Sequence, residues 1–571
     1  MTHDLARRLA VARGDEPADV VLTGGRVLSV FTGELLEADV AIAGRHVAGV
    51  GPGYDGIDRI DVSDLMLLPG FVEGHMHLES TKLTIDQFAR AAVPWGTTTV
   101  VLDPHEIANV FGVDGVRAML RSADEVPLDV FVMMSSCVPA SPFESNGATV
   151  TADDIAAFLH EEPKAIGLAE MMDFPAVVAG EEHALAKLGA VAGRHVDGHA
   201  PGLSGRALNA YLAAGVMSDH ECTTYEEAVE KRRLGMWIMI REGSAARNLE
   251  ALLPMVLEFG PTNCLLCTDD LEPDHLLEQG HVNDVIRKAV ALGCPPSDAV
   301  MMGTLNAARY HRLPEHGAVA PGYLADIVAV PDLVSFRPVG VWKHGRRVSE
   351  GEASVEIAAS DLPDWMRDSM RVRELVPQDF AIVANGSVRV IGVAPGQIVT
   401  RALVETPPIR DGHAVAAPES GLAKIAVIER HRNTGRIGLG FVRGFGTRQG
   451  ALATSLAHDA HNLVVVGVED ADMAAAANRL RETGGGQVAI AGGEVVAEVP
   501  CPFGGLLSDL PVEEVAARTH AVGRAAEQLG TSLPSPFAAM SFLSLSVIPE
   551  LKLTDRGLVD VNRFELVPLE V

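Results

Sequence analysis

Cysteine is scarce in this sequence: only six of its 571 residues carry a thiol, and they are scattered between Cys137 and Cys501. They are too few and too widely spaced for the disulfide framework that stabilises small secreted proteins. The closest pair, Cys264 and Cys267, lies within an apolar run and has no second thiol or histidine pair nearby at zinc-ribbon spacing. We therefore expect both side chains to pack in a core rather than to bind metal.

Long hydrophobic runs are also missing. No apolar stretch reaches the roughly 18 residues that a membrane-spanning helix requires. The residues that follow Met1 lack the basic segment and the apolar segment of a signal peptide. Together with the low cysteine content, these absences predict a protein of the reducing cytoplasm that has no membrane partner.

Positive charge is outweighed by negative charge. The chain has 46 lysines and arginines against 76 aspartates and glutamates, which gives a formal net charge of −30. Such an excess argues against nucleic acid and anionic membrane surfaces as partners. Hydrophobic residues make up 47% of the chain, enough for large cores, and its length predicts several domains.

Two segments, residues 19–50 and 325–348, consist of short apolar alternations broken by glycine turns, which is typical of β-strands. Between them strand-like segments alternate with helical ones, such as residues 151–162 and 181–192, and this alternation favours a parallel α/β fold. From about residue 365, strand-like runs precede a predicted helix over residues 470–482. This last region predicts an added α+β domain.

Eight apolar segments in the middle of the chain each end in polar residues. They cover residues 71–77, 97–106, 129–137, 165–171, 194–200, 215–221, 236–242 and 263–270. Eight β/α units over roughly 240 residues match the size of a (β/α)8 TIM-like barrel. An open doubly wound sheet is the alternative, but no G-x-G-x-x-G phosphate loop follows an early strand.

Metal-competent side chains stand at the ends of five of these predicted strands, where the chemistry of a TIM barrel collects. In His75-Met76-His77 the two imidazoles share a face, because side chains two residues apart on a strand point to one side. The full set is His75, His77, Glu170, His199, His220 and Asp269. Four imidazoles and two carboxylates exceed the needs of one ion. They predict a binuclear site for Mn, Fe or Zn.

These residues resemble the amidohydrolase superfamily, whose pattern is PGxxxxHxH on strand one, a bridging residue on strand four, histidines on strands five and six, and an aspartate on strand eight. The returning segment Gly322–Val328 also matches the split β-sandwich of that superfamily. The resemblance implies a division into an N-terminal part of the β-sandwich, the metal-dependent barrel, a C-terminal part of the β-sandwich and the added α+β domain. Their bounds are 1–68, 69–314, 315–365 and 370–571.

Within the superfamily, the chain is similar to the bacterial adenine deaminases over nearly its whole length. The motifs that carry the similarity are HMHLES, LDPHEIANV, GLAEMM, DGHAPGLSG, SDHECT, REGS and CTDD. Many relatives bridge their metals with a carboxylated lysine on strand four. This chain has Glu170 there, and Lys164 comes too early in the strand to reach the site. The departure points away from hydantoinases and dihydroorotases.

The resemblance implies that the chain hydrolyses adenine to hypoxanthine and ammonia with a metal-bound hydroxide. It implies two divalent ions, with Mn favoured, and a homo-oligomer of two or more copies. Glu170 would bridge the ions close to the nucleophile. Asp269 would bind metal and carry the proton, and Asp270 ranks second for this role.

Purine recognition needs hydrogen-bonding groups at the strand ends. The candidates are Asp103 and His105 after strand two, and Glu242 and Ser244 after strand seven, with Glu242 also a candidate catalytic residue. The alternative for strand seven is a salt bridge of Arg241 within its own loop. Residues 458–461, His-Asp-Ala-His, are expected in a solvent-facing loop, and an approach to the barrel mouth or the binding of another ion is the alternative.

Other functions stay open at this point. A cyclic-amide hydrolase of the dihydroorotase or hydantoinase type would use the same fold, and a related aminopurine would suit the same chemistry. A metal-bearing scaffold without activity is the non-enzymatic alternative.

Overall fold

The computed structural model describes residues 2–191, 193–244, 246–351, 353–354, 356–395 and 398–571. The first part of the chain forms one helix and seven strands. Their bounds are α1 Thr2–Arg13, β1 Ala18–Thr23, β2 Arg26–Leu28, β3 Leu35–Glu37, β4 Asp39–Ala43, β5 His46–Gly51, β6 Gly56–Asp61 and β7 Met66–Pro69.

Strands and helices alternate in the next part. The elements as far as the fifth strand are β8 Phe71–Met76, α2 Ile85–Ala92, β9 Thr97–Leu102, α3 His105–Ser122, β10 Asp129–Met134, α4 Ala152–Glu161, β11 Ala165–Met171, α5 Phe174–Ala179, α6 Glu182–Gly189 and β12 His195–Gly198. The remaining ones are α7 Gly205–Ala213, β13 Ser218–Asp219, α8 Tyr225–Arg233, β14 Trp237–Arg241, α9 Leu249–Phe259, β15 Cys264–Cys267, α10 Pro273–Glu278, α11 Val282–Ala291, α12 Pro296–Met301 and α13 Ala307–Tyr310. All eight predicted strands are present.

The eight strands are parallel and curl into a TIM-like α/β unit. Strands β8 to β12 form one sheet in sequence order, and β13 to β15 form another. Backbone hydrogen bonds join the two sheets at both edges: Met217 N donates to Val196 O at 3.0 Å, and His77 N donates to Asp269 O at 3.0 Å. The last strand end therefore lies beside the first, which brings distant polar residues to one mouth.

The helix between the third and fourth of these strands shows how local sequence sets an element. Thr151 precedes α4 and accepts a hydrogen bond from Asp154 N at 3.2 Å, while the Asp154 carboxylate accepts one from Thr151 N at 2.9 Å. This reciprocal pair satisfies backbone donors that a helix N-terminus leaves free. The predicted helix start at Thr151 is confirmed.

Four further strands return to the N-terminal part: β16 Ile327–Val330, β17 Gly340–Lys343, β18 Arg346–Glu350 and β19 Ala353–Ser354. They extend a seven-stranded sheet of order β19-β18-β17-β16-β7-β2-β3, and β5-β4-β1-β6 form a second sheet. Residues of both sheets, including Val40 and Trp342, share one apolar cluster. The two ends of the barrel segment are therefore held together by strand pairing.

The C-terminal part forms a separate set of elements. They are β20 Val388–Gly392, β21 Arg401–Glu405, β22 Ile409–Arg410, β23 His413–Ala414, β24 Leu422–Ile428, β25 Ile437–Arg443, β26 Ala451–Thr454, β27 Leu463–Gly467, α14 Asp470–Thr483, β28 Gly486–Ala491, β29 Glu494–Pro500, α15 Val512–Gln528, α16 Pro536–Ser541, β30 Leu551–Thr554, β31 Gly557–Asp560 and β32 Glu565–Val567. Eight of these strands make one sheet of order β21-β20-β25-β24-β27-β26-β28-β29.

Hydrogen bonds fasten this C-terminal part to the loop that follows β10. Ser145 N donates to the Asp555 carboxylate at 3.0 Å, Asn462 Nδ2 donates to Ser145 O at 3.0 Å, and Thr554 Oγ1 donates to Phe143 O at 2.6 Å. That loop leaves the C-terminal end of a barrel strand. The C-terminal part therefore lies over the mouth of the barrel.

The expectation that Cys264 and Cys267 pack in a core is confirmed. All six cysteines are free thiols in buried positions, and Cys264 and Cys267 are the end residues of β15. No helix among the described residues is long and apolar enough to cross a membrane.

Gly198, the last residue of β12, lies where the ends of β12 and β13 approach each other closely. A Cβ atom there would lie 2.2 Å from Ser218 O and 2.8 Å from a Val216 methyl group. Gly198→Ala should therefore destabilise the protein by about 1–3 kcal/mol through overpacking, as measured by urea unfolding. Gly189→Ala is the control, because nothing lies within 4 Å of a Cβ there. Equal stability of the two variants would contradict the close approach.

Candidate metal centre and active site

The six predicted metal ligands meet at the mouth of the barrel. Strand β8 ends beside His75 and His77, β11 contains Glu170, and residues just after β12, β13 and β15 supply the others. All six side chains are buried: His75, His77, Glu170, His199, His220 and Asp269. The structure thus brings together every side chain of the set.

Glu170 lies between two pairs of histidines, and each of its oxygens faces one pair. Oε1 is 3.3 Å from His75 Nε2 and 3.1 Å from His77 Nε2. Oε2 is 2.8 Å from His199 Nδ1 and 3.6 Å from His220 Nε2. One carboxylate therefore connects two groups of imidazoles, which is the position that a bridging ligand occupies.

Asp269 belongs to the first of these pairs. Its Oδ1 is 3.0 Å from His77 Nε2 and 3.5 Å from His75 Nε2. Its backbone has a φ of 59°, outside the range of a regular strand, and pairs with Met76 on the neighbouring strand end. This turn of the chain points the carboxylate at the histidines instead of along the sheet.

The donor set fits divalent metal. His75 Nε2, Glu170 Oε1 and His220 Nδ1 are buried and have no hydrogen-bond partner among the described residues. Ligand atoms of His75, Glu170, His220 and Asp269 all lie within 4.8 Å of one another. Buried polar atoms without partners are costly, and a cation that accepts imidazole nitrogen and carboxylate oxygen would satisfy them.

The charges of the cluster lead to the same conclusion. Burial by itself would lower the pKa of His75. The contacts with Asp269 and Glu170 have the larger effect and raise that pKa to about 10. Burial would raise the pKa of Glu170, but the surrounding histidines, His220 first, hold it well below its usual range. The carboxylates are therefore stabilised by nearby positive charge. Either protons on the histidines or bound metal ions can provide it, and the two compete for the same nitrogen atoms.

Arg241 and Glu221 complete the cluster, although neither was predicted from the sequence to belong to it. Arg241, the last residue of β14, donates to Asp269 Oδ2 at 2.8 Å and to both oxygens of Glu221. Glu221 Oε1 is 3.7 Å from His220 Nε2 and 3.8 Å from His199 Nδ1. The only signal in the sequence was that these residues adjoin predicted ones, in SDHECT and REGS.

The predicted substrate residues after β9 also reach the cluster. The His105 ring centroid lies 4.6 Å from that of His77, and His105 Nδ1 is 4.0 Å from Glu170 Oε1. Asp103 Oδ2 is 3.2 Å from the same His105 nitrogen, and the Asp103 backbone carbonyl lies 3.0 Å from His77 Nδ1. Asp103 therefore contacts both rings, His77 through its backbone carbonyl and His105 through its carboxylate.

The predicted residues after β14 do not reach it. Glu242 accepts hydrogen bonds from Leu249 N at the start of α9 and from Lys288 Nζ, both at 3.3 Å. Successive side chains on a strand face opposite sides, so Arg241 points inward and Glu242 points away from the ligands. Ser244 Oγ accepts a hydrogen bond from Glu272 N at 2.9 Å and lines a cavity beside the cluster.

The expectation of a solvent-facing loop at residues 458–461 is wrong. Asp459 and His461 are about 1% exposed. Asp459 Oδ1 lies 3.7 Å from His105 Nε2, and His458 Nδ1 lies 3.1 Å from Glu106 Oε1. A short polar segment has the same composition whether it faces water or another layer of protein, so the sequence does not distinguish the two. Here the hydrogen bonds between the loop after β10 and the C-terminal part hold the segment against the barrel.

A cavity lies between the barrel mouth and the C-terminal part. The barrel side contributes Ser80, Lys82, Glu106, Ser244, Asp270, Leu271 and Glu272, and the C-terminal side contributes Leu456, His458, His461, Gln487, Ser535, Phe537, Ala538, Ser541 and Phe542. Its polar floor adjoins the ligand cluster through Glu106 and Asp270, which follow His105 and Asp269 in sequence. Its C-terminal side combines the aromatic rings of Phe537 and Phe542 with polar side chains such as Gln487 and Ser541.

Comparisons with known proteins identify the family of the chain. The chain matches the amidohydrolase family over residues 66–348 and the adenine deaminase C-terminal domain over residues 397–565. It is 46% identical to an adenine deaminase of Desulfatibacillum aliphaticivorans over 98% of this chain and 99% of that protein. It is 45% identical to one of Cereibacter sphaeroides over the whole of both chains.

Arg241 offers a test of the charge balance in the cluster. Arg241→Met should destabilise the protein by about 3–5 kcal/mol, because it leaves Glu221 and Asp269 buried without their partner. Urea unfolding after chelation of bound metal would measure the change. Arg518→Met is the control, since Arg518 pairs with Glu514 at the surface of α15 and should contribute less than about 1 kcal/mol. An Arg241→Met protein as stable as the wild type would contradict this account of the cluster.

Proposed function

The chain belongs to the adenine deaminase family, and from that premise we propose how its strand-end cluster hydrolyses adenine to hypoxanthine and ammonia. The observation that carries the proposal is the position of Glu170, with one oxygen facing each of two histidine pairs. We infer a binuclear site in which His75, His77 and Asp269 would hold one ion, His199 and His220 would hold the other, and Glu170 would be shared. Family resemblance favours Mn over Fe or Zn.

Divalent ions at these ligands supply the positive charge that lowers the pKa of a water molecule to near neutrality. The chain's own residues then position the reactants. Water adds to C6 of adenine, and one of its protons is transferred to the amino nitrogen while the other ends on N1. The bond from C6 to the amino nitrogen then breaks, and ammonia leaves. Burial of the cluster excludes other water and strengthens every electrostatic contact within it.

Asp269 is the residue that we propose for proton transfer. Its carboxylate takes the proton of the attacking water and passes it to the leaving amino group. Arg241 holds its Oδ2 at 2.8 Å, which fixes the orientation of the carboxylate through the transfer. Glu242 has no role in this mechanism, because its side chain faces Leu249 and Lys288 instead of the cluster.

We propose that His105 contacts the purine, with Asp103 orienting it. His105 lies beside Glu170 and between two carboxylates, Asp103 and Asp459, and neither of its ring nitrogens has a hydrogen-bond partner among the described residues. Ser244 lines the cavity and is a further candidate for a contact with the purine.

A cyclic-amide hydrolase is the alternative that the structure favours least. Enzymes of that type resemble this fold but bridge their metals with a carboxylated lysine on strand four. Here the strand presents Glu170, while Lys164 lies before β11 with its Nζ 2.9 Å from Asp124 Oδ1 at the surface. No lysine of that strand points at the cluster.

We divide the chain into an N-terminal half of a β-sandwich (1–68), the barrel (69–314), the second half of the sandwich (315–365) and a C-terminal α+β domain (370–571). The shared sheet of β2, β3 and β7 with β16 to β19 supports the split sandwich. The cytoplasmic location and the homo-oligomeric state stay predictions.

The wild-type protein, expressed with sufficient metal, should contain close to two divalent ions per chain by elemental analysis. Glu170→Gln keeps the shape of the side chain but removes its charge, so this variant should lose metal or fall by orders of magnitude in turnover. Glu242→Gln is a matched control, because it changes a buried glutamate that the structure turns away from the cluster. Retention of both ions and of near-native turnover in Glu170→Gln would assign the bridge elsewhere.

Ammonia release from adenine is the direct test of function. The rate with free adenine should exceed the rate with adenosine by far, and hydantoins and dihydroorotate should not be hydrolysed. Asp269→Asn should reduce turnover far more than Asp270→Asn, because the Asp270 carboxylate faces Ser80 and only Asp269 contacts the histidines. Full turnover in Asp269→Asn, or a preference for adenosine, would contradict the mechanism.

A further inference from the structure

Three carboxyl groups line the cavity beside the metal ligands, and they differ in what they contact. Glu272 is paired with the ammonium group of Lys82. Asp270 accepts a hydrogen bond from the hydroxyl of Ser80. Glu106 Oε1, in contrast, is buried without a hydrogen-bond partner among the described residues. Of the three, Glu106 is therefore the group that a ligand in the cavity would satisfy.

Glu106 is also well placed to meet a substrate of this site. It lies in the first turn of α3, directly after His105, whose ring is 4.6 Å from that of the ligand His77. Its side chain is about 2% exposed, so water satisfies little of its hydrogen-bonding capacity. A molecule bound with its reacting carbon at the cluster would extend into the cavity that Glu106 lines.

His458 faces Glu106 from the opposite side of the cavity, at contact distance but without a hydrogen bond to it among the described residues. His458 Nδ1 lies 3.1 Å from Glu106 Oε1, and its ring stacks on Phe542 with centroids 4.9 Å apart and an interplanar angle of 17°. Both His458 and Phe542 belong to the C-terminal part. A barrel residue and a C-terminal residue thus form one wall of the cavity.

We propose that Glu106, opposite His458, accepts a hydrogen bond from the N–H of the five-membered ring of a free purine base, and so selects against purines substituted at N9. This proposal rests on the proposed function. A free base carries that N–H, whereas a nucleoside or an N9-alkyl purine does not. A site built to hydrogen-bond a substrate group rejects analogues that lack it, by factors of up to about 10⁴, because its own buried group is left unpaired.

The test compares kcat/KM for adenine and for 9-methyladenine, which has the same amino group but no N9–H. The wild-type enzyme should prefer adenine strongly. Glu106→Leu should lose about 100-fold or more on adenine and little on 9-methyladenine, so the preference collapses. Glu106→Gln keeps an acceptor oxygen and should retain much of the preference. His458→Leu should weaken it less than Glu106→Leu does.

Asp270→Leu is the matched control, since it removes another carboxyl group from the same cavity and should leave the ratio between the two substrates unchanged. Metal content and unfolding temperature show that each variant is folded and loaded. Equal losses on both substrates in Glu106→Leu would overturn the proposal, as would a collapse of the preference in Asp270→Leu alone.

The result also separates this inference from the proposed function. A wild-type enzyme that releases no ammonia from adenine would contradict the function. Calorimetric titration of the metal-loaded protein with adenine and with 9-methyladenine would then test Glu106 by itself. Binding of adenine that does not depend on Glu106 would overturn the inference even if adenine is deaminated.

Discussion

A carboxylate buried among four histidines is the constraint on which the rest of the site depends. Glu170 is about 2% exposed and sits at the centre of the strand ends. Removing a carboxylate from water costs several kcal/mol unless positive charge and hydrogen bonds replace the solvent. The barrel meets this demand because closure of its strands brings His75, His77, His199 and His220 around one point from three separate strand ends. The closure of the barrel therefore also brings together the histidines that compensate the charge of Glu170.

A further layer of ion pairs supports this arrangement. Arg241 joins Glu221 to Asp269, so two carboxylates share one guanidinium that contacts both sides of the cluster. Below them Lys231, fully buried, donates to Asp219 at 2.8 Å and to Ala200 O at 2.7 Å, which ties the segments after β12 and β13 together. Those segments carry His199 and His220. Pairing beneath the ligands thus limits how far the histidines can separate.

The sequence allowed the eight strands and the meeting of six candidate ligands to be predicted, because each candidate stands at the end of an apolar run with strand periodicity. It did not place Arg241 and Glu221 in the cluster, since a charge next to a predicted ligand is as typical of a solvated loop. It led us to expect Glu242 at the cluster, whereas the side chain faces away. Which of two successive side chains points inward depends on the exact register of the strand. It also misjudged residues 458–461, whose burial depends on contacts with residues more than 300 positions earlier in the chain.

The burial of that segment explains why the chain needs a C-terminal part over its barrel. The strand ends of a barrel open toward solvent, and water there would weaken the electrostatic contacts that the chemistry needs. Residues 143–146 rise from the barrel and bond to Asn462 and Asp555, and this seam brings Asp459 against His105 and His458 against Glu106. The cover therefore does more than exclude water. It places an imidazole and a carboxylate against polar residues of the barrel, so both parts of the chain form the walls of the pocket.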